Sequence, residues 1–187
     1  LAEEGLLPPT TGLVSFGGGN VEEAFGHARY GGQINENTYY RAYVKAFERD
    51  SFDDQNGNDT EATWDQVRGG FRIDGEPTAW DTWSLSGDIY QSEPEIDARP
   101  ASAPPGSSAV QIQNSDNVGA NLNGKWDHVF TETSVLRLQS YYDYVDRDLD
   151  GSFTEQRDTF DFDMQHEFAL TDNQQFVWGG GYRYYSE

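Results

Sequence analysis

Cysteine is absent from the chain. That removes disulfides, thiolate metal sites and cysteine nucleophiles, and it leaves the compartment open. No run of apolar residues approaches the ~18 that a membrane-crossing helix needs, so such a helix is excluded. Positive charge is scarce, with 12 Lys and Arg against 33 Asp and Glu and a net charge of -21. A chain this acidic repels phosphate backbones, and no basic stripe is visible along the sequence, so a nucleic-acid partner is not expected. No charged-plus-apolar signal segment opens the chain, which starts at Leu1, as a mature protein or a piece of a longer one would.

What is present is aromatic and glycine-rich: 11 Tyr, 11 Phe, 5 Trp and 20 Gly. With 187 residues and this composition, one β-rich domain is expected rather than a disordered segment. The mean hydropathy of -0.80 does not separate soluble from membrane β-proteins, because a membrane strand is apolar only at every second position. Residues 159–168, TFDFDMQHEF, show that alternation plainly. Phe160, Phe162, Met164, His166 and Phe168 fall on one side and Thr159, Asp161, Asp163, Gln165 and Glu167 on the other.

The same period recurs along the chain. Leu13–Gly17 and Ala24–Gly32 are short glycine-rich candidates. Longer runs cover Tyr39–Asp50, Thr63–Asp74, Asp81–Gln91, Asn117–Val129, Val135–Asp146, the stretch just quoted and Gln174–Tyr185. That predicts about nine strands, most near the ~9–11 residues a tilted strand needs to cross a bilayer. Short connections (Gln33–Thr38, Gly75–Trp80, Thr131–Thr133, Thr171–Asn173) alternate with longer polar ones (Ser51–Ala62, Ser92–Asp116, Asp146–Ser152). Segregated loop lengths are the asymmetry of outer-membrane barrels. On the apolar sides Trp83, Trp126 and Phe168 lie near short turns, and Tyr142 and Tyr144 near the opposite end. Aromatics at both ends are the pattern of two interfacial girdles. His166, close to the turn at Thr171, is read as an interfacial residue rather than a ligand.

The fold expected is therefore all-β: an antiparallel transmembrane β-barrel fragment of about nine strands, belonging to a larger barrel. Residues 1–11 are expected to be irregular and 12–187 to form one partial barrel domain. No metal or cofactor site is expected. DRDLDG at Asp146–Gly151 opens like an EF-hand loop, but its twelfth position is Arg157 and not Glu, which rejects it. DDQNGND at Asp53–Asp59 has no more support. His27, His128 and His166 lie far apart in sequence, no nucleophile–base pair, phosphate-cradling glycine loop or carboxylate dyad stands out, and no enzyme is expected.

The blocks FGHARYGG, YYRAYVKAFERD, RGGFRIDGEPTAWDTWSLSGDIYQ and QRDTFDFDMQHEFALTDNQQFVWGGGYRY resemble the early barrel strands of TonB-dependent outer-membrane receptors. The resemblance runs from about Gly12 to Glu187 and implies a 22-stranded barrel around an N-terminal plug. It also implies uptake of a scarce nutrient, foremost a ferric siderophore. Its partners would be TonB through a preceding region, the plug in cis, and outer-membrane lipid and lipopolysaccharide. Leu1–Thr11 resembles neither plug nor TonB box and nine strands cannot close such a barrel, so a piece of a longer receptor is expected.

With the third strand running outward, Phe47, Arg49, Trp64, Arg68, Tyr90, Tyr141, Arg147 and Arg157 face the lumen near its mouth and are the candidate ligand contacts. Arginine and aromatic rings suit an anionic, aromatic chelate. Lower lumen residues Arg41, Arg72, Asp161, Asp163 and Glu167 are expected to face the plug. Two alternatives stand beside this reading: a small or passive outer-membrane barrel, porin-like or structural, and a soluble glycan-binding β-domain.

Overall fold

The computed structural model describes residues 11–51, 63–98, 111–149 and 153–187. They form one antiparallel sheet of nine strands with no helix among them. The strands are β1 (Thr11–Gly17), β2 (Glu22–Asn35), β3 (Thr38–Arg49), β4 (Trp64–Thr78), β5 (Asp81–Ala98), β6 (Gln111–Thr131), β7 (Ser134–Leu149), β8 (Phe153–Thr171) and β9 (Gln174–Ser186). Each pairs only with its sequence neighbours, so the sheet is a simple meander with β1 and β9 as open edges.

A meander puts alternate connections at opposite ends, and the four two-residue turns share one end. Three of those turns are built by side chains that capture their own backbone. Asn35 Oδ1 accepts from the Asn37 amide at 3.0 Å, Thr78 Oγ1 from the Trp80 amide at 3.1 Å, and Thr131 Oγ1 from the Thr133 amide at 3.3 Å. Asn and Thr do this because their polar atoms sit one or two bonds from the backbone.

At the other end several strands run further than the alternation predicts. β5 continues through Ser92–Ala98 and β6 begins at Gln111, so most of the flanks of the expected Ser92–Asp116 loop are strand. Likewise β7 takes Asp146–Leu149, which removes most of the expected acidic loop. Backbone pairing needs no particular side chains, and alternation is required only where one face is apolar. Pro94 breaks the β5–β6 ladder locally: pairing lapses between Ser92/Asn117 and Glu95/Asn114, where proline has no N–H to give. Thr11 opens β1 and so departs from the irregular N-terminal segment; residues 1–10 and the DDQNGND motif lie outside the described residues.

The registers carry the period of two across all nine strands. One face presents Val14, Ala28, Val44, Phe71, Ile89, Leu122, Leu138, Phe162 and Tyr182, and the other their chain neighbours. On this apolar face charge occurs only at the ends. Glu48, Asp65, Glu93, Glu95, Asp116, Asp146, Asp148 and Asp158 lie towards the long connections, and Asp81 at a turn. Arg99 lies outside the described residues; every other Lys and Arg, from Arg29 to Arg183, stands on the opposite, polar face. No second layer covers either face among the described residues. Phe47 is the one buried hydrophobic residue there, whereas Val44, Ile89 and Tyr182 are exposed.

Candidate functional site

The candidate ligand residues all stand on the polar face, and the sheet brings five of the eight together on β3–β5. Phe47 and Trp64 meet edge to face at 5.1 Å between ring centres. The Arg49 guanidinium lies 4.6 Å from the Phe47 ring centre and 5.2 Å from that of Trp64, and Glu22 faces it at 3.6 Å. This cation–aromatic stack sits at the long-connection end and buries Phe47. One level down, Arg68 pairs across the strands with Tyr90, whose ring covers Gly119; a Cβ at that glycine would overlap the ring.

Deeper on the same face, Asp88 is the centre of a network. The Tyr43 hydroxyl donates to its Oδ1 across β4, and Arg68 closes on its carboxylate with Nη2 3.0 Å from Oδ2 and Nε 3.3 Å from Oδ1. Gly70 makes the crossing possible: a Cβ there would come within 2.8 Å of the Tyr43 ring and 2.9 Å of the Gly87 carbonyl oxygen. Arg68 is thus held by a carboxylate rather than left open to a ligand.

The other three candidates are not part of this cluster. Tyr141, Arg147 and Arg157 stand on β7 and β8, separated from Tyr90 by the polar residues of β6. Arg157 pairs with Glu155 at 3.3 Å, and Arg147 is exposed. Among the residues expected to face a plug, Asp161 is held by Arg183 at 2.7 Å and Glu167 by Arg137 at 3.0 Å. Arg72 is held by Asp74 at 2.7 Å, Arg41 is exposed, and Asp163 lies opposite Gly181.

Three features were not legible along the chain. A basic stripe does exist: Arg29, Arg41, Lys45, Arg49, Arg68 and Arg72 converge on the polar face of β2–β4 because the pairing register of three consecutive strands sets their cations side by side. Two histidines expected to be remote share one row: His128 and His166 both flank Leu136 on the apolar face. Around them runs an aromatic belt near the turns. His128 stacks on Trp126 at 5.5 Å, Phe130 bridges to His166, and His166 meets Trp178 at 5.9 Å. Asp81 ties the belt to its turn, 2.7 Å from His128 Nδ1 and accepting from Trp126 Nε1 at 3.2 Å.

The third is a serine–histidine pair. Ser134 Oγ lies 3.0 Å from His166 Nε2, a contact set by the β7–β8 register and not by any local motif. It lacks the tautomer a general base requires. Trp178 Nε1 donates to His166 Nδ1 at 3.1 Å, and an indole N–H can only donate. Nδ1 therefore holds the lone pair, and in the neutral ring the proton sits on Nε2 and points at Ser134. A serine–histidine nucleophile needs the reverse. Among the described residues no three His, Asp or Glu side chains converge on a metal-sized site.

No protein-family profile matches the chain, and no curated protein sequence is significantly similar to it.

Proposed function

We propose that this chain is a wall segment of a larger outer-membrane β-barrel of the TonB-dependent receptor type. It serves active uptake of a scarce, anionic nutrient such as a ferric siderophore. One observation carries the reading: across nine consecutive strands, every described Lys and Arg lies on one face, and the other face is free of charge between its two ends. A water-washed face has no need to exclude charge, whereas a lipid-facing one does. The uncharged stretch from Phe160 to Phe168 spans about 27 Å of strand, or about 20 Å across a bilayer at a ~45° tilt, near the ~25 Å apolar band of such barrels. The aromatic belt at the turns and Tyr142, Tyr144 and Tyr184 at the other end suit the two interfaces. The open edges at β1 and β9 would then pair with further strands, since a membrane barrel tolerates no edge.

The segment contributes no cysteine of its own, so single labels can be read once any cysteine elsewhere in the full-length protein is replaced by serine. Single cysteines placed at Phe162 and at Thr159 in the full-length protein, inserted in membranes, should behave oppositely. Phe162→Cys is expected to be shielded from a water-soluble maleimide and close to a lipid-borne quencher, and Thr159→Cys to be labelled from water. Equal labelling of both sinks the barrel wall. Growth on a ferric siderophore under iron limitation tests the uptake: it should stop when the gene is deleted or the inner membrane is de-energised. Uptake that survives de-energisation makes the barrel a passive one.

A further inference from the structure

On its polar face β3 reads Tyr39, Arg41, Tyr43, Lys45, Phe47 and Arg49, ring and cation by turns from the turn end to the long-connection end. The neighbouring strands fill the levels between: Arg72 lies opposite Arg41, Arg29 opposite Tyr43, and Arg68 opposite Lys45. Cations therefore recur every two residues, about 7 Å along the strands, from Arg41 to Lys45. Arg49 continues the series above Phe47. Two of these levels set like charges directly across antiparallel strands, Arg41 against Arg72 and Lys45 against Arg68, an arrangement that costs stability.

Carboxylates relieve only half of that repulsion. Asp88 holds Arg68 and Asp74 holds Arg72. Arg29, Arg41 and Lys45 have no ion-pair partner among the described residues, and Arg41 and Lys45 are exposed. In a chain of net charge -21, three uncompensated cations on adjoining strands stand out from the local supply of acids. Their repulsion is offset if an anion lies among them.

We infer that the polar face of β2–β4 is an anion track. It takes a small anionic solute, held in turn by Arg49, Lys45 with Arg29, and Arg41, with Phe47 and Tyr43 as apolar rungs between. An acidic polypeptide segment is the rival occupant, but it would need cations only where it docks. Here they recur from one end of β3 to the other. The direction of travel rests on the barrel-wall reading above; the binding does not.

The probe is inorganic pyrophosphate, titrated calorimetrically into the full-length protein in detergent micelles at low and high salt. Saturable binding that weakens with salt is expected, because exposed charges are screened. Removing two charge-assisted contacts in Arg41→Gln/Lys45→Gln should cost about tenfold or more in affinity. Lys45→Arg should keep the affinity, and so should Lys125→Gln, on β6 and away from the stripe. Circular dichroism on each variant confirms that the sheet is intact. No binding by the folded wild type overturns the track, and so does an equal loss in Lys125→Gln. Binding that emerges only after a plug is cut away assigns the stripe to an acidic segment and overturns it too. Membrane insertion, scored separately, distinguishes the two failures. An inserted protein without pyrophosphate binding loses the track alone, and a binding protein that does not insert loses the barrel alone.

Discussion

Neither face of this sheet is fully covered among the described residues, the buried side chains Phe47, Ser92 and Ser115 all lie on the polar one, and the chemistry of the two faces is opposite. Val44 on the apolar face is 50% exposed, and the Arg137 side chain on the polar face is 45% exposed. Exposure alone therefore says nothing about what each face meets. Composition does. The polar face gathers all the described cations and settles many of them in pairs and stacks: Arg68 with Asp88, Arg183 with Asp161, Arg49 with Phe47 and Trp64. The apolar face settles its few polar atoms only near its ends, His166 between Ser134 and Trp178 and Asp81 between Thr78 and His128. Between those ends it offers aliphatic and aromatic surface with no polar partner. Among the described residues no second layer covers either face.

The strongest way to break the comparison is to put the same cation on each face of one strand. Phe162 lies inside the apolar band, next to its middle residue Met164 and between Ser140 and Tyr182. Phe162→Arg is expected to cost about 2–4 kcal/mol in unfolding free energy of the full-length protein folded in lipid, if that position lies at mid-bilayer. Thr159→Arg, on the polar face and opposite Asp143, should be close to neutral. Equal costs from denaturant titrations would mean that the faces meet the same medium.

A second, smaller effect belongs to the polar face. Asp88→Ala leaves the Arg68 guanidinium and the Tyr43 hydroxyl without their shared acceptor. Loss of a hydrogen bond to a charged group costs about 1.5–3 kcal/mol, and Arg68, partly exposed, recovers some of that from water. Asp88→Asn should fall between wild type and alanine in the same titration.

The faces themselves were readable from the chain because period two is a local signal: Tyr39–Arg49 and Thr159–Phe168 each sort their side chains without reference to any other strand. The strand ends were not. Ser92–Ala98 and Asp146–Leu149 carry polar residues on both sides, so the pattern fades while the backbone ladder continues. Sites composed of several strands were also hidden. The stripe of Arg29, Arg41 and Arg72 and the Ser134–His166 contact depend on register, and register is fixed by turns whose geometry a one-dimensional reading does not give. Alternation gave the ligand candidates a common face. It did not say that Arg68 and Arg157 would already be held by Asp88 and Glu155.

Glycines sharpen the comparison at single atoms. Gly119 lies under the Tyr90 ring on the polar face. Gly119→Val should force that ring away and cost about 1–3 kcal/mol, the usual range for overfilling a packed site. If the clash is the cause, Gly119→Val with Tyr90→Ala should recover much of the loss in a double-mutant cycle.

The smallest expected effect lies on the apolar face, at Ser134. Its hydroxyl accepts from His166 Nε2, while Nδ1 accepts from Trp178. Ser134→Ala removes one neutral hydrogen bond near the turn end, where water or a headgroup can replace it, so about 0.5–1 kcal/mol is expected. Were the pair a nucleophile and its base, the same substitution would abolish a hydrolytic activity and leave stability untouched. Nitrogen NMR of the imidazole separates the two. The hydrogen bonds place the proton on Nε2, and Trp178→Phe should release Nδ1 and let the other tautomer appear. Finding the proton on Nδ1 in the wild type would reverse the donor roles around the ring and put the serine back in reach of a base.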